Sequence, residues 1–304
     1  MRIVSLLPSA TEIIARLGLA ESLVGRSNER TYPPEVQSLP VVTAARIDPR
    51  HLESLEIDRQ VRESIADGRS LYAVDAALID ELRPDIIVTQ DLCAVCAVSS
   101  GELGSACPVG ATVISLDPGT LEEVAASIET LATRLGVPDR GRDVADEMRS
   151  AIDDVRRATQ AAIDAGASRP RVFVAEWIDP PFVPGHWLPG MIEAAGGEAL
   201  LAEPGRPSHP TTWDAVATSD PELLVIAPCG FDAAEAARRA AHLDLERIAP
   251  NARVVVADGD AYYSRPGPRL ADGVRQLGHL LHPTAVADPR LPLTELRASA
   301  AVVG

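Results

Sequence analysis

Lysine is absent: all 28 basic residues of the chain are arginine. That excludes a lysine Schiff base to pyridoxal phosphate, a Walker-type phosphate lysine and a kinase lysine. Positive charge is short overall, because 44 acidic residues set a formal net charge of −16. Counterion release from a phosphate backbone, or adsorption to an anionic lipid surface, needs a basic footprint that this chain lacks, so no nucleic-acid partner is expected. No apolar stretch approaches the ~20 residues that span a bilayer, and no membrane insertion is expected. The motifs G-x-S-x-G, H-E-x-x-H and a post-strand G-x-G-x-x-G are missing too, which leaves an enzyme little to rest on except the four cysteines.

What is present reads as α/β structure written twice. "RIVSL" (2 to 6) is a short β-rich run, and Ser9 and Glu12 after it have the S-x-x-E spacing of a helix-capping box. "RPDIIVTQDLC" (83 to 93) recurs in outline as "DPELLVIAPC" (220 to 229): a proline, an acid, an apolar run of strand length, then a cysteine. "ATVISLD" (111 to 117) recurs as "ARVVVAD" (252 to 258), and "RVFVAEW" (171 to 177) restarts the second half as "RIVSLLP" starts the first. Continuous apolar strands alternating with helical patterns predict parallel sheets covered on both faces.

Between the halves, Val144, Met148, Ile152, Val155 and Ile163 stand at helical spacing, and the pattern ends at Gly166. A helix from about Asp139 to Ala165 extends roughly 40 Å at 1.5 Å per residue. The expected fold class is therefore α/β: two Rossmann-like lobes with parallel sheets, joined by a single long α-helix, with a ligand cleft between the lobes. The boundaries are an N-terminal lobe over 1–137, a linker helix over 138–167 and a C-terminal lobe over 168–304.

Ligands of open parallel sheets bind beyond the carboxyl ends of the strands. "EWIDPPFVPGHW" (176 to 187) follows one such end and spends Trp177, Phe182 and Trp187 on a proline-rich loop, half of all the Trp and Phe residues in the chain. Aromatics on a loop suit a flat apolar ligand, or else pin the loop to its own lobe. Cys93 and Cys96 form a C-x-x-C at another strand end, with Cys229 at the matching point of the second half. They are open to three readings: small buried side chains, ligands of a metal ion, or a nucleophile with Glu29, Glu176 or a histidine as base. His186 and His209 fall on predicted loops where either can offer a neutral imidazole to a metal centre. Arg265 and Arg269, in "SRPGPR", can clamp carboxylate or phosphate, or form ion pairs.

A secretory signal needs an uninterrupted apolar segment, whereas "MRIVSLLPSATEIIARLG" breaks its run at Pro8 and Glu12. Read as folded structure from residue 2, this opening predicts a cytoplasmic protein whose cysteines are thiols or metal ligands.

"SLLPSATEI", "TYPPEV", "PDIIVTQDLCAVCAV", "GHWLPGMIEAAGG", "APCGF" and "SRPGPRLADGV" stand in an order that resembles the cobalamin-binding family of class III ABC-importer substrate-binding proteins, the helical-backbone metal receptors. The resemblance covers nearly the whole chain. It implies a cobalamin-like corrinoid or related metal chelate as ligand, held by loops carrying Asn28, Glu29 and Tyr32, then Gln90, then Trp177, Asp179 and Phe182, then His209 and Phe231. It also implies docking on an ABC permease through one acidic residue per lobe, at Asp214 in the second lobe; the first-lobe counterpart is Ala77. The expected function is thus a non-enzymatic binding protein, working as an intracellular carrier, sensor or salvage factor or as an importer receptor. The alternatives are a thiol- or metal-dependent enzyme with its chemistry at Cys93 and Cys96, and a redox or metal sensor.

Overall fold

The computed structural model describes residues 1–28, 32–91, 98, 100–103, 108 and 110–297. The chain divides into two compact units, one comprising Met1–Pro118 with Glu123–Asp146, the other Gly119–Glu122 with Glu147 onward.

The first unit runs β1 (Ile3–Ser5), α1 (Pro8–Arg16), β2 (Leu23–Arg26), β3 (Thr43–Ala45), α2 (Ser54–Ala66), β4 (Tyr72–Val74), α3 (Ala76–Leu82), β5 (Ile86–Thr89), α4 (Ser100–Leu103), β6 (Thr112–Ser115) and α5 (Leu121–Arg134). Its main sheet is parallel in the order β2-β1-β5-β6, and β3 and β4 form a small antiparallel pair. Val4, Leu6, Val42, Ile79, Ile87, Val98 and Leu103 make one buried cluster here.

The second unit runs β7 (Arg171–Ala175), α7 (Leu188–Ala194), β8 (Glu198–Ala199), α8 (Trp213–Thr218), β9 (Leu223–Ile226), α9 (Ala233–Ala240), α10 (Leu245–Ile248), β10 (Arg253–Ala257), α11 (Gly259–Tyr262), α12 (Leu270–Leu281) and β11 (Leu293–Arg297), the linking helix α6 (Pro138–Asp164) coming before it. The sheet order is β8-β7-β9-β10-β11, parallel except for β11. Val172 to Ala175, Leu224 to Ile226 and Val254 to Ala257 are all fully buried. Burial on both faces is why these strands read as unbroken apolar runs rather than alternating ones.

The duplicated sequence is duplicated in register. Ile3 pairs with Ile86 and Ile86 with Thr112 in one sheet; Val172 pairs with Leu223 and Leu223 with Arg253 in the other. The restarts β1 and β7 and the first repeated runs β5 and β9 therefore occupy equivalent central positions, while β6 ends its sheet and β10 is flanked by β11, a mixed α/β fold of two lobes. β11 has no counterpart in the first sheet among the described residues.

Helix α6 is the longest element, at 27 residues. It buries Val144, Ala145, Met148, Ile152 and Val155 along one stripe, while Arg142–Asp139, Arg156–Asp153 and Arg157–Asp154 pair on its exposed surface. It stops at Gly166, whose φ of +104° suits a residue without a Cβ, with the Ala167 amide bonded back to the Ala162 carbonyl. Near its start, Gly141 lets α6 approach α5 closely: a Cβ built there would lie 2.3 Å from Ala132 Cβ. Gly141→Val is expected to lower stability by about 1–3 kcal/mol through overpacking, and a thermal melt against wild type checks it.

One local expectation is corrected. Ser9 and Glu12 do not cap α1; the helix begins at Pro8, with Leu7 as its extended N-cap and no side-chain capping bond. Proline at the first helical position carries no N–H to be satisfied and has φ preset, so it starts the helix one residue before the serine. Ser9 and Glu12 lie inside the helix and are buried.

Candidate functional site

In the second unit the loops following β7, β9 and β10 leave the carboxyl edge of the sheet. The loop after β7 turns tightly: Ile178 bridges Pro181, the Phe182 amide donates to the Trp177 carbonyl and the Glu176 amide to the Phe182 carbonyl. It is fastened to the segment around 205–211 by bonds from the Val183 amide to the His209 carbonyl and from the Thr211 amide to the Pro181 carbonyl. Gly185 is required there, since a Cβ would lie 2.2 Å from the Ser208 nitrogen. Glu176 ties this loop to the next, its carbonyl accepting from the Cys229 amide and its carboxylate from the Gly185 amide.

The result brings Trp177 and Phe231 together, ring centroids 5.6 Å apart and planes tilted by 32°. Trp177 is half-buried, Phe231 is 8% exposed, and the guanidinium carbon of Arg239 sits 4.1 Å from the Phe231 centroid. Asp179 and Phe182 are half-buried in the same loop.

Trp187 is different. It is 6% exposed, and its Nε1 donates to the Tyr263 carbonyl at 2.7 Å, while the Tyr263 hydroxyl donates to Gln276 Oε1 at 2.8 Å. This ring pins its loop to the unit's own core. Arg265 likewise turns inward: its side chain is 10% exposed and forks onto Asp260, so its charge is answered within the unit. Arg269 lies over the Tyr262 ring at 5.8 Å.

His186 has φ +48°, and its Nε2 is buried with no hydrogen-bond partner among the described residues. Burial pushes the His186 pKa down, which keeps the ring neutral at neutral pH. His209 is exposed and lines a pocket of about 230 Å³ with Val183, Pro184, Glu203, Arg206 and Pro207.

Asp258 caps α11 by accepting from the Ala261 amide at 2.8 Å. Burial first, and then the charges of Asp260 and Asp232, raise its pKa, against that capping bond and Arg269. A carboxyl whose folded pKa is raised contributes stability that is full below the ordinary carboxylate range and is lost as pH rises through the folded value. Asp258→Asn, which keeps a capping oxygen, is therefore expected to melt higher than wild type at pH 7, the two converging near about pH 3, below the ordinary Asp pKa. Parallel melts across that range check it.

In the first unit Asn28 folds onto its own scaffold: its amide donates to Thr43 Oγ1 at 2.9 Å and the Thr43 hydroxyl donates to Asn28 Oδ1 at 2.8 Å. Tyr32 is 44% exposed, and Gln90, directly after β5, is 2% exposed. Glu29, Cys93 and Cys96 lie outside the described residues. Cys229 is a half-buried free thiol, and among the described residues no group of three or more His, Cys, Asp or Glu is placed to hold a metal ion.

Sequence reasoning passed over Arg239 and Tyr263. The Glu235 to Arg239 spacing is a helical i,i+4 pair, but Arg238 answers the same glutamate at i,i+3, so the sequence does not show which arginine turns inward.

The model of the family described as periplasmic binding protein matches residues 3–251. A vitamin B12-binding protein of Vibrio cholerae is 25% identical over 91% of this chain and 87% of its own length. An uncharacterized ABC transporter substrate-binding lipoprotein of Bacillus subtilis is 24% identical over 93% of this chain and 80% of its own. Among solved structures, a periplasmic heme binding protein from Pseudomonas aeruginosa superposes with TM-score 0.74 at 21% identity, covering 98% of each chain. The periplasmic vitamin B12 binding protein of Vibrio cholerae superposes with TM-score 0.66 at 24% identity, covering 92% of this chain and 96% of that one. At such identities the superpositions speak for the fold.

These relatives overturn the expectation of a cytoplasmic protein, because they are periplasmic proteins or a lipoprotein. The interrupted apolar run at Pro8 and Glu12 reflects the start of a buried helix, not a cellular address. With its duplicated α/β units and a family match spanning most of its length, the chain belongs to the periplasmic binding protein family, whose members are binding proteins and not enzymes.

Proposed function

We propose that the protein is the substrate-binding component of an ABC importer and that its ligand is a cobalamin-like corrinoid. The observation that carries this reading is the aromatic surface at the carboxyl edge of the second sheet, where half-buried Trp177 packs against Phe231. A flat, largely apolar macrocycle is the ligand such a surface suits, and stacking on aromatic rings gives contact area at low conformational cost. Corrinoid is preferred to heme because the relatives matched by sequence include vitamin B12-binding proteins, whereas the heme binding protein above is matched by superposition, which speaks for the fold. Asp179, Phe182, His186 and His209, on the same unit as Trp177 and Phe231, are the further residues proposed to face ligand.

A titration of the purified protein with hydroxocobalamin, with hemin and with zinc, followed by visible absorption and repeated after alkylation of the thiols, tests the reading. Saturable corrinoid uptake that survives alkylation supports it. Uptake of hemin alone, or of zinc alone and only with free thiols, sinks it.

The permease contact is proposed to use Asp214. It is 81% exposed on α8 and pairs with Arg247 at 2.5 Å, whereas Ala77 on α3 brings no charge. Asp214→Arg is expected to leave corrinoid affinity unchanged and to slow corrinoid uptake about tenfold in cells that depend on this protein, since like charges at a docking contact cost several kcal/mol of specificity. Parallel uptake and binding assays check it.

A further inference from the structure

Arg239 is among the largest fully buried side chains of the protein, at 1% exposure, on a helix whose other buried residues are Ala233, Ala236 and Ala240. Burying a guanidinium removes its hydration, and a surface ion pair with Glu235 does not require that, as Arg238 demonstrates from the exposed side of the same carboxylate. The buried guanidinium also lies against the Phe231 ring. Helical side chains lean toward the helix N-terminus, so Arg239, in the last turn of α9, runs back past Glu235 and sets its guanidinium carbon 4.1 Å from the centroid of the ring that stands just before the Asp232 cap. Phe231 is held at both ends of its own backbone: its amide donates to the Pro228 carbonyl, and its carbonyl accepts from the Asp260 amide. The remaining freedom is the swing of the ring, and the guanidinium limits it. Trp177 then packs on that ring at 5.6 Å.

We infer that Arg239 is a positioning residue for the ligand surface: its buried guanidinium fixes the ring of Phe231 and, through it, the orientation in which Trp177 meets a planar ligand. This rests on the reading of Trp177 and Phe231 as ligand-facing. Arg239 itself touches no ligand; it acts through the ring.

The test combines binding with a signal that needs no ligand. In Arg239→Met the affinity for hydroxocobalamin is expected to fall about tenfold, and Arg239→Lys, which keeps a cation beside the ring, to recover most of it. On a Phe231→Leu background, Arg239→Met is expected to cost less than about twofold more, because the ring it positions is gone. The near-ultraviolet circular dichroism of Trp177, taken as the difference from Trp177→Phe, is expected to shrink in Arg239→Met without ligand. A folded Arg239→Met protein with unchanged affinity and dichroism overturns the inference, as does an equal loss on both backgrounds, which marks a general structural role. Should Arg239→Met not fold, Phe231→Leu alone decides: a Trp177 signal and affinity equal to wild type overturn it, and loss of both supports it. If the wild-type protein takes up no corrinoid, the functional reading fails while the dichroism still decides the role of Arg239.

Discussion

Trp177→Ala is expected to weaken corrinoid binding by about 2–4 kcal/mol, roughly thirty- to several-hundred-fold, while moving the melting temperature little. The size follows from what the ring does. Packing of the half-buried indole on Phe231 limits what binding must spend on ordering it, and truncation removes both the stacking area and the shape of the surface. Stability is spared because this ring is not part of a filled core. Equilibrium titration and a thermal melt on the same preparation separate the two effects.

Trp187→Ala is expected to do the reverse. At 6% exposure, with its Nε1 bonded to the Tyr263 carbonyl, this indole fills the junction between its own loop and the segment after β10. Removing it leaves a large cavity and an unpaired carbonyl, at about 3–5 kcal/mol. The melting temperature then falls by about 10 °C, while affinity measured well below the melt changes only to the extent that the loop loosens. Trp187→Phe, which restores most of the volume but not the donor, should recover more than half of the loss. Two tryptophans ten residues apart would thus report on binding and on stability separately. Equal behaviour of the two variants would contradict the division of roles.

The architecture was legible because the chain repeats itself. A proline, an acid and an apolar run recur 137 residues apart, and both copies, Ile86 to Thr89 and Leu223 to Ile226, became central strands pairing with the same kinds of neighbour. The linking helix was legible from its stripe and its glycine stop, within one residue at either end. What escaped was structure with little local signal. β3 and β4 have three residues each, and β11 lies on a sheet edge with every residue exposed or only partly buried, so no apolar pattern marks it. The capping box at Ser9 failed because two start signals overlapped and proline outranked serine.

At the site, composition singled out the aromatic loop, but it could not divide Trp177 from Trp187. Which ring is braced depends on Tyr263, 76 residues further on, a partner that no local pattern announces. Arg265 illustrates the same limit. Its planar fork suited a ligand clamp, and Asp260, five residues earlier, accepts it instead. Cellular location was misread for another reason: an apolar run broken by proline and glutamate describes the buried first turn of α1 and carries no information about where the protein works.

The most direct test of the central claim is a crystal structure of the protein grown with hydroxocobalamin. The account predicts one corrinoid with its macrocycle edge or face in van der Waals contact with Trp177 and with the Trp177–Phe231 packing retained. A corrinoid bound away from both rings, or a protein that crystallises from saturating corrinoid without any, would contradict it.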